Sequence, residues 1–120
     1  MEILTINLPQ DLCEEITCEL GNLVYRATSF PEAFEELQCQ DFKTIICGVS
    51  CASVSDQCLG TLLGLSFVST QIILIGDAAD ISNYFAYREL GIELLVNPSC
   101  LDITNRIRAD LEPSLVSGSL

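Results

Sequence analysis

Five short apolar runs alternate along the chain with five stretches in which apolar residues return every three or four positions. The first pattern suits strands buried in a sheet, and the second suits one face of a helix. Residues 2–7 form the first run. Leu8, Leu12, Ile16 and Leu20 then recur at intervals of four, with Pro9 at the start of that helix and Gly21 at its end. Residues 22–28 read as a more polar, edge-type strand. Ser29 followed by Glu32 has the form of a capping box, in which a hydroxyl takes a free amide of the first turn and a carboxylate reaches back. The helix it opens turns Ala33, Phe34 and Leu37 inward. Residues 43–49 contain Thr44-Ile45-Ile46-Cys47, without polar alternation, as a central parallel strand does. A small-residue loop at 50–55 leads to a helix over 56–65, with Leu59, Leu62 and Leu63 inward and with Gly60 and Gly64 weakening it. Residues 71–75 give a fourth strand. Asp80 is placed to cap a fourth helix that uses Ile81, Tyr84, Phe85 and Arg88 and stops at Leu90-Gly91. Residues 92–96 give a fifth strand, and Pro98-Ser99 opens a fifth helix whose Ile103, Ile107 and Leu111 share a face.

Five βα units joined by right-handed crossovers close most compactly as a three-layer α/β sandwich, a (βα)5 fold around a parallel five-stranded sheet of order 2-1-3-4-5. This is the flavodoxin-like arrangement. Residues 1–112 are expected to form one domain, with 113–120 as a flexible tail or linker stub. Chemistry in such a fold lies at the carboxyl ends of the first and third strands. The positions that matter are therefore Asn7 and Leu8, Gly48 and Val49, Gly76 and Asp77, and Asn97 and Pro98.

Composition narrows the classes of function. Hydrophobic residues make up 49% of the chain and charged residues 18%, which argues against compositional disorder. No apolar run reaches the roughly 18 residues of a membrane span. The first residues lack the basic region and long apolar stretch of a signal peptide. Five basic residues stand against 17 acidic ones, a net charge of −12. That field repels phosphate backbones and anionic lipid heads, so neither nucleic acid nor membrane is an expected partner. It fits simple solubility, and it fits a basic protein partner.

Seven cysteines and no histidine are present. The odd count and the lack of any Cys-x-x-Cys pair give no secreted disulfide frame and no usual zinc or thioredoxin signature. A reducing cytoplasm suits them. Without histidine, no Ser-His-Asp or Cys-His device can be built within the chain. No glycine-rich nucleotide motif occurs either. No enzyme activity, cofactor or metal is expected.

The segment Ala27-Thr28-Ser29-Phe30-Pro31-Glu32-Ala33-Phe34-Glu35-Glu36-Leu37 resembles the second strand and helix of bacterial response-regulator receiver domains. Residues 101–111 resemble their last helix. Leu90-Gly91 and Asn97-Pro98 sit where receivers carry a Gly and then a Lys-Pro. The resemblance implies a CheY-like domain over residues 1 to about 112, in a two-component pathway. Receivers accept a phosphoryl group on an aspartate, with acidic residues holding Mg²⁺ and with a hydroxyl and a lysine on the phosphoryl oxygens. Carried onto this chain, the nucleophile position falls on Gly48 and the acidic pair on Asn7 and Leu8. The hydroxyl falls on Gly76, the lysine on Asn97, and the aromatic switch on Leu94 or Leu95. None of these side chains retains its chemistry. Asp77 is the nearest carboxylate, and it stands beside the hydroxyl position.

The resemblance thus implies a pseudo-receiver that binds a protein partner or pairs with itself in signalling or transcription regulation. Receivers use their fourth helix, fifth strand and fifth helix for such contacts, which points to Tyr84, Tyr87, Arg88, Arg106 and Arg108. The alternative is a redox or small-ligand sensor at the vacated site, acting through Cys47 or Cys51, which flank Gly48.

Overall fold

The computed structural model describes residues 3–20, 24–49, 56–65 and 70–111. Five strands, β1 (Ile3–Ile6), β2 (Val24–Ala27), β3 (Thr44–Gly48), β4 (Gln71–Gly76) and β5 (Glu93–Val96), form one parallel sheet in the order β2-β1-β3-β4-β5. The connections contain α1 (Gln10–Leu20), α2 (Phe30–Cys39), α3 (Asp56–Leu65), α4 (Ala78–Ser82), a 3-10 segment (Phe85–Leu90) and α5 (Cys100–Leu111). The five-stranded parallel arrangement is the one the apolar pattern predicts. The expected tail at 113–120 and the loop at 50–55 lie outside the described residues.

The period of two along each central strand divides the interior into two cores. Leu4 and Ile6, Ile45 and Cys47, and Ile72 and Leu74 point to one face, where they meet Phe30 and Ala33 of α2, Leu59 and Leu62 of α3 and Ile81 of α4. Ile3, Ile46, Ile73 and Ile75 point to the other face and meet Cys13 and Ile16 of α1 and Ile103 and Ile107 of α5. β1 and β3 are buried along their whole length, which is why their sequences show no polar alternation. Each fully buried Ile or Leu contributes about 1.5–3 kcal/mol.

Side chains start the helices. Ser29 accepts the Glu32 amide at 3.4 Å, and the Glu32 carboxylate turns back to the Thr28 hydroxyl at 2.9 Å. The return bond therefore lands one residue earlier than in a standard capping box. A reciprocal box opens α5. The Asp102 amide donates to Ser99 Oγ at 3.1 Å, and the Ser99 amide donates to Asp102 Oδ2 at 3.0 Å.

The fourth connection departs from expectation. Asp77, not Asp80, is the cap, and its Oδ1 accepts the Asp80 amide at 2.8 Å. The helix ends after five residues and continues as the 3-10 segment, instead of running to Leu90. Ser82 Oγ donates to the Ala79 carbonyl at 2.8 Å, and Asn83 Nδ2 donates to the same oxygen at 3.4 Å. Such back-bonding competes with the helical ladder. The change of pitch turns Tyr84 and Tyr87 toward the core and leaves Phe85 and Arg88 exposed. Residues three apart share a face in a 3-10 helix, so the inward set is Ile81, Tyr84 and Tyr87. Gly91 closes the segment in the left-handed region at φ 88°.

Candidate functional site

The topological switch point lies between β1 and β3, where the chain leaves the sheet in opposite directions. Asn7, Leu8, Gly48, Val49, Gly76 and Asn97 all arrive at this carboxyl edge, as the sequence predicts. The backbone carries the ladder past each strand end. The Asn7 amide donates to the Ala27 carbonyl at 3.3 Å, the Val49 amide to the Ile75 carbonyl at 2.8 Å and the Asn97 amide to the Gly76 carbonyl at 2.7 Å. These amides are spent on the sheet and do not point out to a ligand.

Asn7 and Asn97 both adopt the left-handed region, at φ 56° and 42°. Asparagine tolerates this better than other residues with a β-carbon, apart from Asp. The turn at Asn7 brings its carbonyl against Gly48. A Cβ on Gly48 would stand 2.5 Å from Asn7 O and 3.2 Å from Asn7 C, with Leu8 Cδ2 at 3.5 Å. Leu8 and Val49 are buried beside it. The space that a side chain at position 48 would need is filled by main chain and by leucine.

Two carboxylates approach the same edge, and both are engaged in helix caps. Asp77 receives the Asp80 amide, and Asp102 receives the Ser99 amide. Among the described residues, no group of three or more His, Cys, Asp or Glu is arranged to hold a metal ion. Partial burial pushes the Asp80 carboxyl above its ordinary range. The Asp77 charge and a side-chain hydrogen bond to Asp77 add to that shift.

The cysteines fall into distinct settings. Cys47 is fully buried in the core between the sheet and α2 to α4, without the solvent access that thiolate chemistry needs. Cys51 lies outside the described residues. Cys100 lines a groove of about 660 Å³ between α1 and α5 with Glu15, Cys18 and Glu19. Burial pushes its thiol up, and so do the charges of Glu15, Glu19 and Cys18.

The second candidate region lies around β5. Tyr84 and Tyr87 are half-buried with ring centroids 6.0 Å apart. Arg88 is exposed. Arg106 pairs with Glu93 at 3.6 Å. Arg108 belongs to α5, and its side chain lies outside the described residues. Sequence reasoning missed the polar chain that ties this region together. Thr44 Oγ1 donates to Gln71 Oε1 at 3.2 Å, Gln71 Nε2 donates to Glu93 Oε2 at 2.6 Å, and Glu93 then meets Arg106. Its only sequence signal was a polar residue at the start of each of three consecutive strands.

Comparison with solved structures places the chain in the fold of response-regulator receiver domains. The regulatory domain of RitR, the repressor of iron transport regulator, in its inactive form superposes with a TM-score of 0.77 at 15% identity, covering 93% of this chain and 95% of that one. A response regulator receiver domain protein from Clostridium thermocellum gives 0.75 at 20% identity, covering 96% and 97%. An adenylate cyclase from Rhodopirellula baltica gives 0.79 at 17% identity, covering 98% and 93%. No protein-family model and no curated protein matches the sequence. Among the described residues no helix is long and apolar enough to cross a membrane.

Proposed function

We propose that this domain is a pseudo-receiver: a protein-interaction module of bacterial signalling, located in the cytoplasm, that works without phosphorylation and without catalysis. The observation that carries this reading is the closure of the switch-point crevice by the Asn7 carbonyl over Gly48. Phosphoryl transfer to a receiver requires a carboxylate nucleophile with Mg²⁺ held beside it. Here the nucleophile position has neither the carboxylate nor room for one. The positions of the metal-binding pair are Asn7 and Leu8, one in a left-handed turn and the other buried. Gly76 and Asn97 replace the hydroxyl and the lysine, and the Asn97 amide is bonded to Gly76.

The interaction surface of this reading is formed by the 3-10 segment, β5 and α5. Arg88, Arg106 and Arg108 lie on these elements and account for three of the five basic residues. In a chain of net charge −12, this is where a partner with acidic groups meets least repulsion.

Incubation with acetyl phosphate and Mg²⁺, and separately with beryllofluoride and Mg²⁺, tests the proposal. The intact mass and the melting temperature are expected to stay unchanged. A gain of one phosphoryl group, or stabilisation that depends on both magnesium and beryllofluoride, would refute it.

A further inference from the structure

A groove of about 410 Å³ runs along β5, between the 3-10 segment and Arg106 of α5. That volume falls within the range of small-ligand sites. β5 lies two strands away from β3 and Gly48, so the closed crevice plays no part in this groove. Its wall is apolar. Phe85 is 56% exposed and Val96 50%, and Leu94 lines the groove with them.

The charge here runs against that of the chain. The protein as a whole carries −12. Three charged side chains line the groove, Arg88, Arg106 and Glu93, which leaves one cation in excess. Glu89, the neighbour of Arg88 in sequence, does not line it. Among the described residues, no carboxylate pairs with Arg88. Arg106 is braced from the sheet. Thr44 donates to Gln71, Gln71 donates to Glu93 Oε2 at 2.6 Å, and Glu93 Oε1 holds Arg106 Nη1 at 3.6 Å. A guanidinium has five N–H donors, and one long contact leaves most of them for a ligand. Arg88 follows Phe85 by three residues in the 3-10 segment, where residues at that spacing eclipse. The exposed ring and the uncompensated guanidinium therefore share one face.

We propose that this groove binds a small aromatic monocarboxylate. The ring lies on the wall of Phe85, Leu94 and Val96, and the carboxylate meets Arg88 and Arg106, whose planar forks match two oxygens. One negative charge balances the excess cation. A phosphate dianion would set a second charge against Glu93, and a neutral aromatic would leave Arg88 unmatched. An acid without a ring would leave the apolar wall in water. The site goes beyond the interaction reading above and does not rest on it.

Titration of phenylacetate into the full chain, followed by amide NMR shifts, tests the proposal. The expected result is saturable shifts at Gly91, Leu94 and Val96, with a Kd of about 1 mM that rises with salt. Phenylacetamide, which lacks the charge, and acetate, which lacks the ring, are each expected to bind at least about tenfold more weakly. Arg88→Gln and Arg106→Gln are each expected to weaken phenylacetate by at least about tenfold. Should loss of the Glu93 pair disturb the fold of Arg106→Gln, exposed Arg88→Gln with native circular dichroism decides. Glu93→Gln raises the excess to two cations and is expected to tighten phenyl phosphate more than phenylacetate. No saturable shift at about tenfold the expected Kd, shifts centred on other elements, equal binding of phenylacetamide, or full affinity in Arg88→Gln overturns the site. Tighter binding of phenyl phosphate than of phenylacetate to the wild type, or equal changes for the two in Glu93→Gln, overturns the monoanion. A short acetylated peptide ending in phenylalanine that binds more tightly than phenylacetate overturns the small-molecule occupant.

Discussion

Gly48→Ala separates a crowded glycine from a merely permitted one. At a strand position with room for a methyl group, this change stabilises a protein by about 0.4–1 kcal/mol, because it restricts the unfolded chain. Here the new Cβ would stand 2.5 Å from Asn7 O, inside the 3.0 Å limit that real Cβ atoms observe. The neighbour is main chain, held by the Asn7 amide bond to Ala27 and followed by buried Leu8, so it cannot rotate away as a side chain would. Overpacking of this kind costs about 1–3 kcal/mol. For a domain of this length that corresponds to a fall of about 4–12 °C in melting temperature. Urea and thermal unfolding followed by circular dichroism measure it. A melting temperature equal to or above that of the wild type would refute the crowding argument, and with it the claim that the crevice is closed. Gly48→Asp adds a buried carboxylate to the same clash, and it is expected to be less stable than Gly48→Ala while still taking no phosphoryl group.

Other consequences are open to measurement. Ser99→Ala removes one leg of the box at the start of α5, and unfolding is expected to show a loss of about 0.5–2 kcal/mol. Asp80→Asn is expected to raise the melting temperature at neutral pH. A carboxyl with a raised folded pKa destabilises the fold when ionised, so the gain should shrink as the wild-type group protonates and vanish below the ordinary carboxylate range. A gain that persists in strong acid would contradict this. Cys100 is expected to react with iodoacetamide at neutral pH more slowly than exposed Cys39, and Glu15→Gln with Glu19→Gln should speed it by lowering the thiol pKa. Residue-resolved mass spectrometry reads both rates.

The sheet was legible because its signal is redundant. β1, β3 and β4 are buried on both faces except at half-buried Gln71, so they are apolar apart from Thr5, Thr44 and Gln71, and no alternative element accommodates such short runs between helical periods. The occupants of the carboxyl edge were legible for the same reason, since strand ends fix which residues arrive there. The fourth connection was less so. Ile81, Tyr84, Phe85 and Arg88 fit the spacing of an α-helix, yet the back-bonding of Ser82 and Asn83 sets a tighter pitch that apolar periodicity does not encode. Asp80 and Asp77 are both sound caps by residue type, and only the backbone path decides between them. The closeness of Asn7 to Gly48 had no sequence signal beyond an asparagine and a glycine at distant positions. It depends on a left-handed turn meeting a strand across the sheet.

The 3-10 segment has no buried residue of its own and leans on the core through two half-buried tyrosine rings. Its cohesion is therefore modest, and sub-global opening is expected to begin there while the sheet stays intact. A molecule gripping this stretch would have little to unmake before binding. The rest of the domain would register the event as a local quieting of motion rather than as a change of shape.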